Sequence, residues 1–154
     1  MPGHVKPLSE KNGAKPKKPV NHWARLAGLL FLFMAVSGFL RAYGALKQRS
    51  VLLEFGLSEQ QFVYLLVAGL LYGLVNLMAF VAIAKVGRRR LIVSWLSALL
   101  SILLYWIERL FLWVPEQRGG NWPFMLLLHV VLLVVLLLFS RSERKAHQQL
   151  KEST

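Results

Sequence analysis

Residues 62–114 read FVYLLVAGLLYGLVNLMAFVAIAKVGRRRLIVSWLSALLSILLYWIERLFLWV, two apolar runs joined by a short basic turn. Each run, 62–84 and 91–114, is long enough to cross a bilayer, because about 20 helical residues at about 1.5 Å per residue cover the hydrocarbon core. Two further apolar runs lie outside this stretch, at 23–40 and 122–139. The sequence therefore predicts four transmembrane helices.

The basic residues are divided unevenly between the two sides of these runs. Of nineteen Lys and Arg residues, fourteen lie in the two terminal segments, at the start of the first run or in the turn at 85–90, and five lie in or beside the other connections. Cytoplasmic loops of membrane proteins carry an excess of Lys and Arg. We therefore expect an all-α polytopic protein of two antiparallel hairpins, in the inner (plasma) membrane with both termini cytoplasmic.

The composition divides the chain into three segments. Residues 1–21 combine four prolines with five lysines, which predicts a disordered, polybasic cytoplasmic tail. Residues 22–141 form the transmembrane domain, with spans at about 23–46, 58–86, 90–114 and 122–140, followed by a short cytoplasmic segment at 142–154. Ser58 and Gln61 have the spacing of a capping box, so the second span should begin at Ser58.

Several classes of function are excluded or disfavoured by the residues present. The chain has no cysteine, which rules out disulfides, thiolate metal sites and thiol redox chemistry. No converging set of His, Asp and Glu and no base-oriented serine is visible, so we predict neither a metal site nor catalytic residues. The net charge of +12 reflects topology and not a folded basic face, and we expect no nucleic-acid partner.

Basic residues near the cytoplasmic boundary are candidates for contact with anionic lipid headgroups or a partner. Each such residue contributes on the order of 1 kcal/mol near an anionic surface. A purely topogenic role is the alternative for the tail. The candidates are Lys15, Lys17, Lys18, Arg88, Arg89 and Arg90.

Small and weakly polar residues recur along three of the spans and predict helix contacts. Small side chains let helix backbones approach closely, and polar side chains avoid lipid. We favour packing within the bundle, and packing against another chain is the alternative. The predicted packing residues are Gly28, Gly38, Gly69, Gly73, Asn76, Ser94, Ser97 and Ser101.

Glu108 is a carboxylic acid inside a span, which makes it a functional candidate. It lies about 25 Å along its helix from Leu91, and Arg41 lies about 27 Å from Trp23 on the first helix. The two side chains should therefore reach similar depth near the outer boundary. A structural ion pair between Arg41 and Glu108 is the preferred interpretation.

His129 should lie near the same level, about 10 Å below Trp122. It could titrate together with Glu108, since histidine changes charge close to physiological pH. It could also be an axial ligand of haem or chlorophyll, the one cofactor that the sequence leaves open. The preferred interpretation is a neutral histidine that bonds to a neighbouring helix or to a partner subunit.

These features favour a non-catalytic integral membrane protein, an accessory, assembly or stabilising subunit of a larger membrane complex. Its partners would be membrane lipids and other membrane protein subunits. The first alternative is a small transporter or channel formed by oligomerisation, using Arg41, Glu108 and His129. The second is a pigment- or haem-binding membrane subunit in which His129 holds the cofactor.

Overall fold

The computed structural model describes residues 21–54, 56–85, 89–112 and 122–152, and they are almost entirely helical. The first helix continues past its span into a short second helix, and the fourth ends in a π-helical turn. The elements are α1 (His22–Lys47), α2 (Arg49–Glu54), α3 (Glu59–Ala84), α4 (Arg90–Ile107), the π-helical turn Glu108–Leu112 and α5 (Trp122–Glu152).

Four of these helices are long and apolar enough to cross a membrane: α1, α3, α4 with the start of its π-helical turn, and α5. Among the residues that the structure describes there is no β-strand. The predicted all-α fold with four transmembrane helices is confirmed. The chain is a multi-pass membrane protein.

Side-chain caps fix the starts of α1 and α3. The Asn21 carboxamide oxygen accepts hydrogen bonds from the backbone N–H groups of Trp23 and Ala24, at 3.1 and 3.3 Å. The Ser58 hydroxyl accepts from the Gln61 N–H at 3.2 Å, and the Gln61 side chain accepts from the Ser58 N–H at 2.9 Å. The predicted capping box is confirmed. These caps satisfy backbone donors that have no partner within the first helical turn.

Gly56 ends α2 and turns the chain towards α3. Its φ angle is +86°, in the left-handed region that favours glycine. The Gly56 N–H donates to the Leu53 carbonyl at 3.0 Å, and the Leu57 N–H donates to the Leu52 carbonyl at 3.1 Å. This pattern is a Schellman motif.

We expect Gly56→Ala to destabilise the protein by about 1 kcal/mol, because a side chain in the left-handed region clashes with the backbone. Gly44→Ala is the matched control. Gly44 lies within α1 with nothing within 4 Å of the position of a Cβ, so alanine there should be neutral or slightly stabilising. Reversible unfolding of both variants in mixed micelles measures the difference, and equal effects would contradict the expectation.

The helices α1 and α3 share the most extensive contact of the bundle. They run in opposite directions where they meet, because Gly28 lies against Phe80 whereas Gly38 lies against Gly69 and Gly73. A Cβ placed on Gly38 would lie 2.6 Å from the Gly73 nitrogen and 2.9 Å from the Gly69 carbonyl oxygen. The two backbones are therefore in direct contact at this point.

The other packing residues also lie inside the bundle. Ser94, Ser97, Ser101 and Asn76 are all buried. Asn76 donates from its carboxamide nitrogen to the Ser101 hydroxyl at 2.9 Å and to the Tyr72 carbonyl at 2.8 Å, which joins α3 to α4. The predicted polar face of α4 thus meets other helices of the same chain.

A large apolar core accompanies these polar contacts. Buried side chains come from all four long helices, and they include Ala27, Phe31, Met34, Ala79, Ala98, Leu132, Leu136 and Phe139. Large apolar side chains on the opposite faces are exposed, as expected where a helix meets lipid.

The bounds of the helices differ from the sequence-based spans at two places. The helix α4 gives way to the π-helical turn at Glu108, although a regular span to 114 was expected; residues 113–121 lie outside the described part. The helix α5 continues to Glu152, past the predicted end of the transmembrane domain at residue 141. Its 31 residues span about 46 Å, more than the roughly 30 Å hydrocarbon core.

Candidate functional site

Arg41 of α1 and Glu108 at the end of α4 form a bidentate ion pair. The Arg41 Nη1 donates to Glu108 Oε2 at 2.9 Å, and its Nη2 donates to Glu108 Oε1. The Glu108 side chain is 8% exposed and the Arg41 side chain 35% exposed. The structure therefore forms the ion pair that the depth of the two residues predicted, and the pair ties α1 to α4.

The π-helical turn determines how Glu108 and its neighbour are placed. The Glu108 N–H donates to the carbonyl of Leu104, as in an α-helix, and also to that of Tyr105, and the π-helical turn begins at Glu108. Glu108 and Arg109 are consecutive, yet both are buried. Consecutive residues of a regular helix point about 100° apart, so one of them would ordinarily be closer to the surface. Single π-helical turns are frequent at functional sites.

A partly open cavity of about 240 Å³ lies beside the ion pair. All four long helices contribute to its wall, and the residues of α1 and α3 that line it are mostly small or aromatic. The lining residues are Ser37, Gly38, Arg41, Tyr64, Ala68, Tyr72, Leu104, Tyr105, Glu108 and Met125.

His129 of α5 points into the bundle and is only 3% exposed. Its imidazole meets the ring of Tyr105 edge to face, with 5.3 Å between the ring centres. Neither ring nitrogen has a hydrogen-bond partner among the described residues. His129 therefore does not form the predicted hydrogen bond to a neighbouring helix within the described part of the chain.

The geometry of His129 also bears on the two other interpretations of this residue. Glu108 is bonded to Arg41, and the described residues contain no hydrogen bond between Glu108 and His129. A cofactor held from the lipid side would need an imidazole nitrogen on the outer face of α5, whereas the ring of His129 is buried against Tyr105. The structure thus brings Arg41 and Glu108 together, and it packs His129 against Tyr105 without a hydrogen bond to either of them.

Arg109 is a site residue that sequence reasoning did not single out. Its Nη1 makes a long hydrogen bond of 3.5 Å to the Tyr105 hydroxyl, and its Nη2 is buried without a partner among the described residues. Arg109 belongs to the π-helical turn, and the sequence gives no signal for that turn.

A second polar cluster, the Glu143 cluster, comprises Asn21, Arg90 and Glu143. Arg90 forms an ion pair with one carboxylate oxygen of Glu143, and the Asn21 carboxamide nitrogen donates to the other oxygen at 2.9 Å. Arg90 also lies over the Phe139 ring, 5.4 Å from its centre. One carboxylate on α5 therefore joins the starts of α1 and α4.

The Glu143 cluster bears on the predicted contact of Arg90 with lipid headgroups. The side chain of Arg90 is only 17% exposed and has Glu143 as its partner. Arg89 is exposed, as the lipid interpretation requires. Lys15, Lys17, Lys18 and Arg88 lie outside the described residues.

A search of protein-family models, of curated proteins and of solved structures finds no match to this chain. Within the described ranges, no three His, Asp or Glu side chains converge in a way that could hold a metal ion.

Proposed function

We propose that this chain is a non-catalytic accessory, assembly or stabilising subunit of a larger complex in the inner (plasma) membrane. The observation that carries the proposal is the contact of α1 and α3 at Gly38, where the two backbones touch without intervening side chains. This contact closes the interface between α1 and α3 beside the cavity. Where the two backbones touch, no substrate path can run between α1 and α3, which favours a role in contacts with other subunits over transport.

The pairing of the charged groups supports the same function. Arg41 is bonded to Glu108, and Arg90 is bonded to Glu143. These ion pairs hold helices of the same chain together. The outer faces carry exposed leucines on several helices, including Leu74, Leu96 and Leu99. Such faces suit contact with the transmembrane helices of other subunits as well as with lipid.

The native assembly tests this proposal. The tagged chain, expressed at its natural level and extracted gently into nanodiscs, is expected to purify with other membrane proteins in fixed stoichiometry. Mass determination of the intact particle and identification of each chain would establish the partners. A lone monomer or a homo-oligomer under the same conditions would contradict the subunit proposal.

A small transporter or channel formed by oligomerisation is the second candidate, favoured by the cavity that has Arg41 and Glu108 on its wall. This function predicts ion or proton flux by the purified protein in vesicles. Glu108→Gln should then abolish the flux, whereas Glu59→Gln, on an exposed ion pair, should leave it unchanged. Absence of flux across ionic conditions would count against transport.

The proposed orientation places both termini and the 85–90 turn in the cytoplasm. Exposed basic residues at this end, which include Lys85, Arg89, Arg141 and Arg144, would then face anionic headgroups. A fluorescent protein fused after Thr154 should fluoresce, and alkaline phosphatase fused there should be inactive. A phosphatase fusion at Gln48 should be active, and the opposite pattern would invert the topology.

A further inference from the structure

We infer that the cavity beside the ion pair is a binding site for a small, uncharged ring compound that carries a carbonyl oxygen. The site lies among four helices of one chain, so its existence does not depend on whether the protein is a subunit. Four observations define the ligand: the volume of the cavity, the side chains on its wall, the hydrogen-bonding state of Arg41 and the ion pair of Arg41 with Glu108.

The volume sets the size of the ligand. Small residues at Ser37, Gly38 and Ala68 leave the space of about 240 Å³ unfilled. A cavity of about 150 Å³ can hold benzene, whereas drug-sized ligands occupy roughly 300–1,000 Å³. One six-membered ring with short substituents therefore fits.

The wall determines the character of the ring. Tyr64 and Tyr105 supply aromatic surface, and Met125 and Leu104 supply apolar, adaptable surface. Aromatic side chains favour stacked or edge-to-face contact with another ring, and methionine sulfur also makes favourable aromatic contacts. A planar ring is thus better matched to this wall than a flexible chain.

Arg41 determines the polar group of the ligand. A guanidinium has five N–H donors and no acceptor. Two of them bind Glu108, and the remaining three have no hydrogen-bond partner among the described residues. A carbonyl oxygen accepts a hydrogen bond without bringing a donor of its own, so it matches the donors that Arg41 has left.

The ion pair also determines the charge of the ligand. Glu108 already balances the charge of Arg41, so the wall that they form is neutral as a pair. An anionic ligand would meet the Glu108 carboxylate beside Arg41 and would give up its hydration on entering the bundle. Arg41, on the wall of the cavity, provides the polar contact.

Three probes of closely similar shape test the carbonyl and the charge of the ligand. They are 4′-methylacetophenone, which has the carbonyl; 4-isopropyltoluene, which lacks it; and 4-methylbenzoate, which is an anion. Binding is measured by calorimetry with the full-length protein in nanodiscs, and empty nanodiscs give the heat of partition into lipid. The ketone should bind saturably and at least about tenfold more tightly than the hydrocarbon, because a hydrogen bond from a charged donor is lost in the latter.

Two substitutions locate the site. Ala68→Leu should fill the cavity and reduce ketone binding at least about tenfold, whereas Ala84→Leu, on an exposed position of α3, should leave it unchanged. Thermal unfolding of both variants checks that they fold. The inference is overturned if the ketone shows no saturable heat above empty nanodiscs, if 4-methylbenzoate binds more tightly than the ketone, or if folded Ala68→Leu protein binds like the parent.

Discussion

Gly38→Ala is expected to destabilise the protein by at least about 2 kcal/mol, because the new methyl group would meet backbone atoms and not flexible side chains. The Gly73 nitrogen and Cα would lie 2.6 and 2.8 Å from the added Cβ, and the Gly69 carbonyl oxygen 2.9 Å from it. No change of rotamer relieves such contacts. The helices α1 and α3 would have to separate along their most extensive interface.

Gly28→Ala is the matched control, since Gly28 lies on the same helix and is also buried. The nearest atoms to its added Cβ are side-chain carbons of Phe80 and Ile83, at 3.7 and 3.8 Å, which is ordinary van der Waals distance. Alanine there should be neutral or stabilising. Reversible unfolding by SDS in mixed micelles compares the two variants. Equal stability of Gly38→Ala and Gly28→Ala would contradict the backbone contact.

Breaking the Arg41–Glu108 pair is the second substitution with a large expected effect. A double-mutant cycle of Arg41→Gln and Glu108→Gln should give a coupling free energy of about 2 kcal/mol. Loss of one partner of a fully buried pair costs about 3–5 kcal/mol, and Arg41 is only partly buried, so a smaller value is expected. The losses of unfolding free energy in the two single variants should therefore add up to more than the loss in the double variant.

The Arg49–Glu59 ion pair provides the control for this cycle. Its N···O distance is 2.7 Å, but both side chains are more than half exposed. Exposed pairs contribute about 0–1 kcal/mol, so the same cycle with Arg49→Gln and Glu59→Gln should give a much smaller coupling. Raising the salt concentration should reduce that coupling further. If the two cycles gave equal couplings, the Arg41–Glu108 pair would have no special role in holding α1 against α4.

The features predicted correctly from the sequence are those that depend on helix length and on local spacing. Four long apolar runs are sufficient to predict the four spans, and the Ser58–Gln61 spacing is sufficient to predict the start of α3. The Arg41–Glu108 pair was also predictable, because the rise of a helix is constant and converts residue number into depth. The direction in which the two side chains point agrees with the high cost of leaving a charge in lipid.

The features missed from the sequence depend on packing between helices. The π-helical turn at Glu108–Leu112 has no sequence signal, and Arg109 is buried within it. The orientation of His129 was equally unpredictable. Leucine and valine occur on every side of α5, so its sequence does not indicate which face is buried. Its contact with Tyr105 depends on how α5 is rotated against α4.

The length of α5 was missed for a different reason. Residues 141–152 are polar and charged, so they indicate the end of the apolar run, but they contain no glycine or proline to end the helix. The role of Glu143 was missed for the same reason, since a residue in the segment predicted at 142–154 was not considered as a partner for Arg90. The helix continues through the boundary and places Glu143 beside the starts of α1 and α4.

The Glu143 cluster has a consequence for biosynthesis. A ribosome makes the chain from its amino terminus, so Asn21 and Arg90 enter the membrane well before Glu143 is translated. The contact between α1 and α3 involves only the first two spans and is available early. Until the last span arrives, Arg90 lacks its carboxylate, and a chain truncated before Glu143 keeps that cation unpaired. The Glu143 cluster can therefore form only after the last span has been made, later in synthesis than the contact between α1 and α3.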